Sequence, residues 1–226
     1  MSRPVGERFG VKICGLTRSI DARTAEDAGA DYLGFVLTQG FGRSVSEDAI
    51  ERTAADVQAR RVAVLVDEAP EDAIRLGNRL GASVLQLHGH EPAEHVAALA
   101  DAGPWDLWKA VRVRDPRDVR VAVERYGALV QGFLIEGWRE GVVGGAGVRL
   151  TATPERVKGS LPPSSTTVLA GGLDPSNVGE AIRRFRPDVA DVSSGVETEP
   201  GQKDHELVVA FIEAARSAFR DLEEHP

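Results

Sequence analysis

Cysteine is nearly missing from this chain: among 226 residues there is one, Cys14. A lone thiol excludes an intrachain disulfide, and no N-terminal stretch joins basic residues to a long apolar run, so the expected compartment is the cytoplasm. No segment approaches the roughly 18 uninterrupted apolar residues of a membrane span, so no membrane partner is expected. Aromatic residues make up 5% of the chain, which leaves few stacking platforms and points to a core of Val, Leu, Ala and Ile. Positive charge is also short. The net charge of -8 argues against nucleic acid, which needs a basic footprint, but leaves room for an anionic small molecule in a locally positive pocket. Several signatures are absent too: no G-x-G-x-x-G after the first strand, no P-loop, no G-x-S-x-G elbow, and no His/Cys/Asp/Glu spacing of a metal site.

What is present is alternation. Short β-branched runs exchange with helix-period segments along nearly the whole chain, the pattern of βα units around a parallel sheet. Strands are expected at Gly10–Cys14, Asp31–Leu37, Arg61–Val66, Ser83–Leu87, Leu107–Val111, Gln131–Glu136, Thr166–Ala170 and Ala190–Ser193. Helices are expected at Ile20–Ala28, Ser46–Ala59, Pro70–Leu80, Pro92–Asp101, Pro116–Tyr126, Pro175–Phe185 and Asp204–Glu223, with a weak one within Leu150–Ser160. Eight units of about 28 residues each approach the minimum for a strand, a helix and two short loops. The fold expected is a single α/β domain, a (β/α)8 TIM barrel over residues 1–226, with a doubly wound open sheet as the rival.

In such a barrel, residues at the C-terminal ends of the strands face the mouth where chemistry occurs. Cys14 closes the first strand, where a thiol can move protons, although a free cysteine also serves as a small buried hydrophobe. Glu136 closes Phe133-Leu134-Ile135, either as a mouth-facing acid or as a solvated rim residue. Gln86 and His88 flank Leu87 and therefore point the same way. His88 is a candidate proton carrier or a hydrogen-bonded structural histidine. Arg43, after the second strand, offers a planar fork to an anion. Late in the chain, Gly171-Gly172 and Ser193-Ser194-Gly195 end consecutive strands in small-residue loops. They either supply amides and hydroxyls to a phosphate or merely permit tight turns. Gly144-Gly145-Ala146-Gly147 reads as a ligand-covering loop or a plain connector, and Lys109 is the one candidate for a Schiff base.

Taken together, Lys12-Ile13-Cys14-Gly15-Leu16-Thr17, Leu85-Gln86-Leu87-His88-Gly89, Leu169-Ala170-Gly171-Gly172-Leu173 and Asp191-Val192-Ser193-Ser194-Gly195-Val196-Glu197 resemble the phosphoribosylanthranilate isomerases of tryptophan biosynthesis. The match covers nearly the whole chain. The resemblance implies a barrel that needs no cofactor and no metal and performs an Amadori rearrangement on an anionic phosphoribosyl substrate. It implies Cys14 as general base, Glu136 at the position of the general acid, and Arg43 facing the anthranilate carboxylate. It also implies Gly171, Gly172, Ser194 and Gly195 around the phosphate, and Asp191 at the mouth of the eighth strand. Three departures stand out. Glu136 replaces an aspartate and moves the carboxyl by roughly 1.5 Å, one carbon–carbon bond. The stretch after Gly147 lacks the family's aromatic pair, and Phe41-Gly42-Arg43 stands where the family has S-P-R. They motivate an alternative, a paralogue acting on a related phosphoribosylated amine or a substituted anthranilate. A phosphosugar-binding protein without catalysis is the reading from another class. The sequence does not give the oligomeric state.

Overall fold

The computed structural model describes residues 9–137 and 154–225. Eight parallel strands close into a barrel in chain order. They are β1 (Gly10–Cys14), β2 (Tyr32–Val36), β3 (Arg60–Leu65), β4 (Val84–Leu87), β5 (Asp106–Val113), β6 (Gly132–Gly137), β7 (Thr166–Leu169) and β8 (Val189–Val192). Between and after them run α1 (Ser19–Asp27), α2 (Ile50–Thr53), α3 (Pro70–Leu80), α4 (Ala93–Ala100), α5 (Pro116–Tyr126), α6 (Pro154–Lys158), α7 (Val178–Phe185) and α8 (His205–Glu224). The barrel is the expected one. Gly144–Gly147 and residues 150–153 of the segment expected to hold the weak sixth helix lie outside the described residues.

The period-two geometry of the strands divides the core. One set of side chains, including Tyr32, Val62, Val84, Trp108, Leu134, Val168 and Val189, fills the barrel with Cys14. The alternate set, such as Ile13, Leu33, Leu85, Phe133 and Ile135, packs outward against the helices. This two-sided burial explains why the strands read as nearly continuous apolar runs. Each fully buried aliphatic chain stabilises the fold by about 1.5–3 kcal/mol.

Three expectations need correction. The long helix expected over Ser46–Ala59 is a 3-10 turn, Glu47–Ala49, followed only by the short α2. Asp56 takes a left-handed φ of 60°, and the Glu26 carboxylate accepts the amides of Gln58 at 2.6 Å and Ala59 at 2.5 Å. Those side-chain bonds replace the helical ones. The seventh helix begins at Val178 rather than Pro175, because Asp174 and Asn177 close a turn ahead of it. Finally, a hairpin of β9 (Glu197–Glu199) and β10 (Gln202–Lys203) follows the last barrel strand. It brings Lys203 back toward the mouth.

One polar pair is sealed inside the barrel. Lys12 and Asp191 are direct register partners on β1 and β8, and the Lys12 ammonium, with no exposed surface, lies 2.8 Å from the Asp191 carboxylate. Breaking a buried pair leaves an uncompensated charge, so Lys12→Met is expected to destabilise the protein by about 3–5 kcal/mol. Adding Asp191→Leu is expected to restore most of the loss in urea denaturation. A single variant with the wild-type midpoint would remove the pair from the stability account.

Candidate active site at the barrel mouth

Cys14 stands at the C-terminal end of β1 with 8% of its surface exposed. Its register partner on β2 is Gly34. A Cβ there would lie 2.8 Å from the Cys14 sulfur and 3.0 Å from the Lys12 ammonium nitrogen. Glycine thus leaves the room in which sulfur and ammonium meet. Burial is the strongest influence on the thiol and raises its pKa; the Lys12 charge and hydrogen bond pull it down, while Asp191 pushes it up. The balance leaves Cys14 above an ordinary thiol. Lys12 keeps its proton: burial opposes the charge, but Asp191 and Cys14 outweigh it and raise its pKa.

Across the mouth, Glu136 is the next-to-last residue of β6, on the inward face that it shares with Leu134. Its Oε1 lies 3.0 Å from His88 Nε2 and accepts from Arg112 Nε at 3.1 Å. Gln86 Nε2 lies 2.9 Å from His88 Nδ1. His88 thus bridges the Gln86 amide and the Glu136 carboxylate, one ring nitrogen to each. Burial would raise the Glu136 pKa, but the hydrogen bond and charge of His88 and the charge of Arg112 outweigh it, so the carboxyl sits below its usual range. A raised pKa, the usual way to ready an acid, is therefore not what this environment produces.

Arg43 does not present an empty fork. Its Nε and Nη2 donate to Glu197 at 2.9 and 2.6 Å. Glu197 also receives Lys203 Nζ at 2.6 Å, and the same ammonium donates to the Ser193 carbonyl at 3.1 Å. The ion pairs tie the loop after β2 to the hairpin after β8. They present Arg43 in a fixed orientation, with Nη1 as the remaining face of the guanidinium.

The two late loops do meet. A Cβ on Gly195 would fall 1.9 Å from the Leu173 carbonyl oxygen, so only glycine allows the Ser194–Val196 turn to lie on the loop after β7. Gly171, Gly172 and Leu173 also line a cleft of about 160 Å³ with Asn177 and Arg184. Asn177 steadies this loop by donating to the Gly172 carbonyl at 3.0 Å.

Lys109, the one candidate for a Schiff base, is not placed for it: its amine turns away from the mouth, toward Glu91 at 2.9 Å and over the Tyr126 ring. Sequence reasoning assigned no part to Arg112, Lys12, Glu197 or Lys203. Arg112 lay one residue past the expected end of the fifth strand. Extending the alternation from Trp108 and Ala110 puts it on the inward face, and it pairs in register with Glu136.

An eight-stranded barrel whose C-terminal face brings together a thiol, a carboxylate, a histidine and two glycine-bearing loops defines a class, the TIM-barrel enzymes of acid–base chemistry on small anions. The sequence model of N-(5'phosphoribosyl)anthranilate (PRA) isomerase matches residues 11–214. The N-(5'-phosphoribosyl)anthranilate isomerase of Chromohalobacter salexigens is 42% identical over 214 residues, covering 94% of this chain and 96% of its own. Among solved structures, phosphoribosyl anthranilate isomerase from Thermotoga maritima superposes with a TM-score of 0.81 at 33% identity, covering 92% of this chain and 99% of that one. Another phosphoribosyl anthranilate isomerase, solved with reduced 1-(o-carboxyphenylamino)-1-deoxyribulose 5-phosphate, gives 0.78 at 32% identity over the same shares. This chain belongs to the phosphoribosylanthranilate isomerase family.

The contact between the late loops carries an expectation for anion binding. Gly195→Ala must part the turn from the Leu173 carbonyl, and is expected to weaken inorganic phosphate binding about tenfold, roughly 1.4 kcal/mol. Calorimetric titration checks this, and an unchanged affinity would separate the loop contact from phosphate.

Proposed function

We propose that the barrel mouth converts N-(5′-phosphoribosyl)anthranilate to 1-(2-carboxyphenylamino)-1-deoxyribulose 5-phosphate, a step of tryptophan biosynthesis, with Glu136 as general acid and Cys14 as general base. The observation that carries the roles is the placement of one thiol and one carboxyl at inward-facing strand ends of the same mouth, in a chain of this family. Protonation of the ribose ring oxygen by Glu136 lets the C1′–O bond break and leaves an iminium. That cation acidifies the C2′ hydrogen, which the Cys14 thiolate removes to give the enolamine. Tautomerisation to the ketone then places one proton on C1′ and takes one from the 2′-hydroxyl. Gly171, Gly172, Ser193, Ser194 and Gly195 are read as the phosphate anchor, whose binding energy holds the sugar between acid and base. Arg43, through the face that Glu197 leaves open, is read as the partner of the anthranilate carboxylate.

Glutamate fits this site by its reach. The position of His88 and Arg112, both at hydrogen-bond distance from the carboxylate, matches the longer side chain, and shortening it is expected to break those bonds. The names of the relatives favour the ordinary substrate over a related amine.

The resting protons are on the opposite groups from those the reaction uses. Burial holds Cys14 as a thiol, and its partners hold Glu136 as a carboxylate. The productive thiolate–acid form has the same total protonation and differs by one transferred proton. Activity is therefore lost on the acid side when Glu136 also gains a proton, and on the alkaline side when Cys14 also loses one. The plateau of kcat/KM is expected to run from below the usual carboxylate range to above the ordinary thiol range. A narrow bell confined near neutrality would contradict this assignment. Cys14→Ser and Glu136→Gln are each expected to lower kcat by about 10²–10⁴-fold while inorganic phosphate still binds. Glu136→Asp is expected to lose on the order of 10²-fold through misplacement. Complementation of a tryptophan auxotroph lacking the isomerase tests the reaction itself: growth with the wild-type gene supports it, and growth only with Glu136→Asp would point to another substrate.

A further inference from the structure

Lys109 and Glu91 form an ion pair that has no part in the chemistry described above. Both are buried, at 4% and 2% exposure, in the layer between barrel and helices. A buried pair is weak support for stability, because desolvation of two ions offsets much of their attraction. What this pair touches is more informative than its charge. Lys109 Nζ donates to the Leu87 carbonyl at 3.0 Å and to the Gly89 carbonyl at 2.9 Å. Glu91 Oε1 accepts the Gly89 amide at 2.8 Å. The residue between those carbonyls is His88, whose own carbonyl accepts from Arg112 Nη2 at 3.0 Å and whose amide donates to Leu65 at 2.8 Å.

Two side chains of one strand thus hold three successive carbonyls, at the last residue of β4 and the first two of the loop after it, from opposite sides. Lys109 does so from the helix layer and Arg112 from the mouth. Strand alternation would send 109 outward and 112 inward, so β5 grips the loop by both of its faces. The loop has little freedom left: a Cβ on Gly89 would fall 2.4 Å from the Asp67 carboxylate, and the His90 amide donates to that same carboxylate at 2.5 Å. Tyr126 adds a floor, with its hydroxyl donating to the Glu91 carbonyl at 2.7 Å and its ring beneath the Lys109 ammonium.

We propose that Lys109, paired with Glu91, is a positioning residue for the acid end of the site, fixing the backbone on either side of His88 so that its ring meets the Glu136 carboxylate. The proposal rests on Glu136 as the acid of the reaction proposed above. The groups facing Glu136 are His88 from the β4 loop and Arg112 from β5, and those facing Lys109 are Glu91, Asp67 and Arg112. When the loop relaxes, the His88 bond is weakened and Arg112 alone offsets the burial of the carboxyl. Glu136 then titrates at a higher pH.

The test uses the double variant Lys109→Met/Glu91→Gln, which removes both charges and so avoids a stranded ion. The glutamine oxygen can still accept the Gly89 amide, while the carbonyls of Leu87 and Gly89 lose their donor. Loss of alignment is expected to lower kcat by roughly 10–100-fold, outweighing the larger protonated fraction of Glu136, with KM nearly unchanged and the acid limb of kcat moved to higher pH. In the ligand-free protein, the carboxyl carbon resonance of Glu136 is expected to titrate at a higher pH than in wild type. A folded double variant with wild-type kcat, acid limb and Glu136 titration overturns the proposal. The titration arm needs no substrate: if wild type fails to isomerise phosphoribosylanthranilate yet the Glu136 midpoint still moves, the reaction was misassigned and the clamp stands.

Discussion

A single ammonium, sealed inside the barrel between a carboxylate and a sulfur, sets the terms for the rest of the molecule. Lys12 cannot be solvated there, so it must be held by Asp191, and that need joins the first strand to the last at the seam where the barrel closes. The same charge lies close enough to Cys14 to hydrogen-bond its sulfur. Without a cation, a thiol so deeply buried would be a small hydrophobe and little more. Lys12 therefore makes strand closure and the setting of the thiol one arrangement, and Gly34 supplies the space in which both occur.

The acid end inverts this logic. Glu136 is surrounded by donors, His88 and Arg112, that stabilise its charge, and these are held by the β5 grip on the loop before α4. At rest the proton thus sits on sulfur and the charge on carboxylate. In the proposed mechanism, chemistry begins from the less populated arrangement and ends, after ring opening and C2′ deprotonation, in the more populated one. Both transfers run toward the protein's preferred proton distribution, at the cost of a small productive fraction. Beside this pair, Arg43 is held by Glu197, which Lys203 anchors in turn, so the side of the mouth that bears Arg43 is ordered by ion pairs that bridge early and late loops.

The barrel was legible because each strand is buried on both faces, which leaves a run of β-branched and aliphatic residues that turn signals bracket. The placement of Cys14, Glu136 and the late glycine loops at the mouth was legible because they close strands, and strand ends in such a barrel form that face. The missing parts were interactions between residues far apart in the chain. Nothing local in Lys12 announces Asp191, 179 residues away, and nothing in Glu197 says that it will hold Arg43. The helix expected after β2 failed for the same reason, since Glu26 from another unit takes the amides that would have continued it. Arg112 was missed through a strand boundary misplaced by two residues, because β5 runs to Val113 rather than Val111.

The central claim is that the resting protein holds its one cysteine as a thiol through burial, against the pull of Lys12. A chain with a single cysteine allows this to be read directly, from the ultraviolet absorbance of the thiolate as the ligand-free protein is titrated. The predicted midpoint lies above that of an ordinary thiol, whereas a midpoint at or below the ordinary value would show a thiolate at rest and contradict the account.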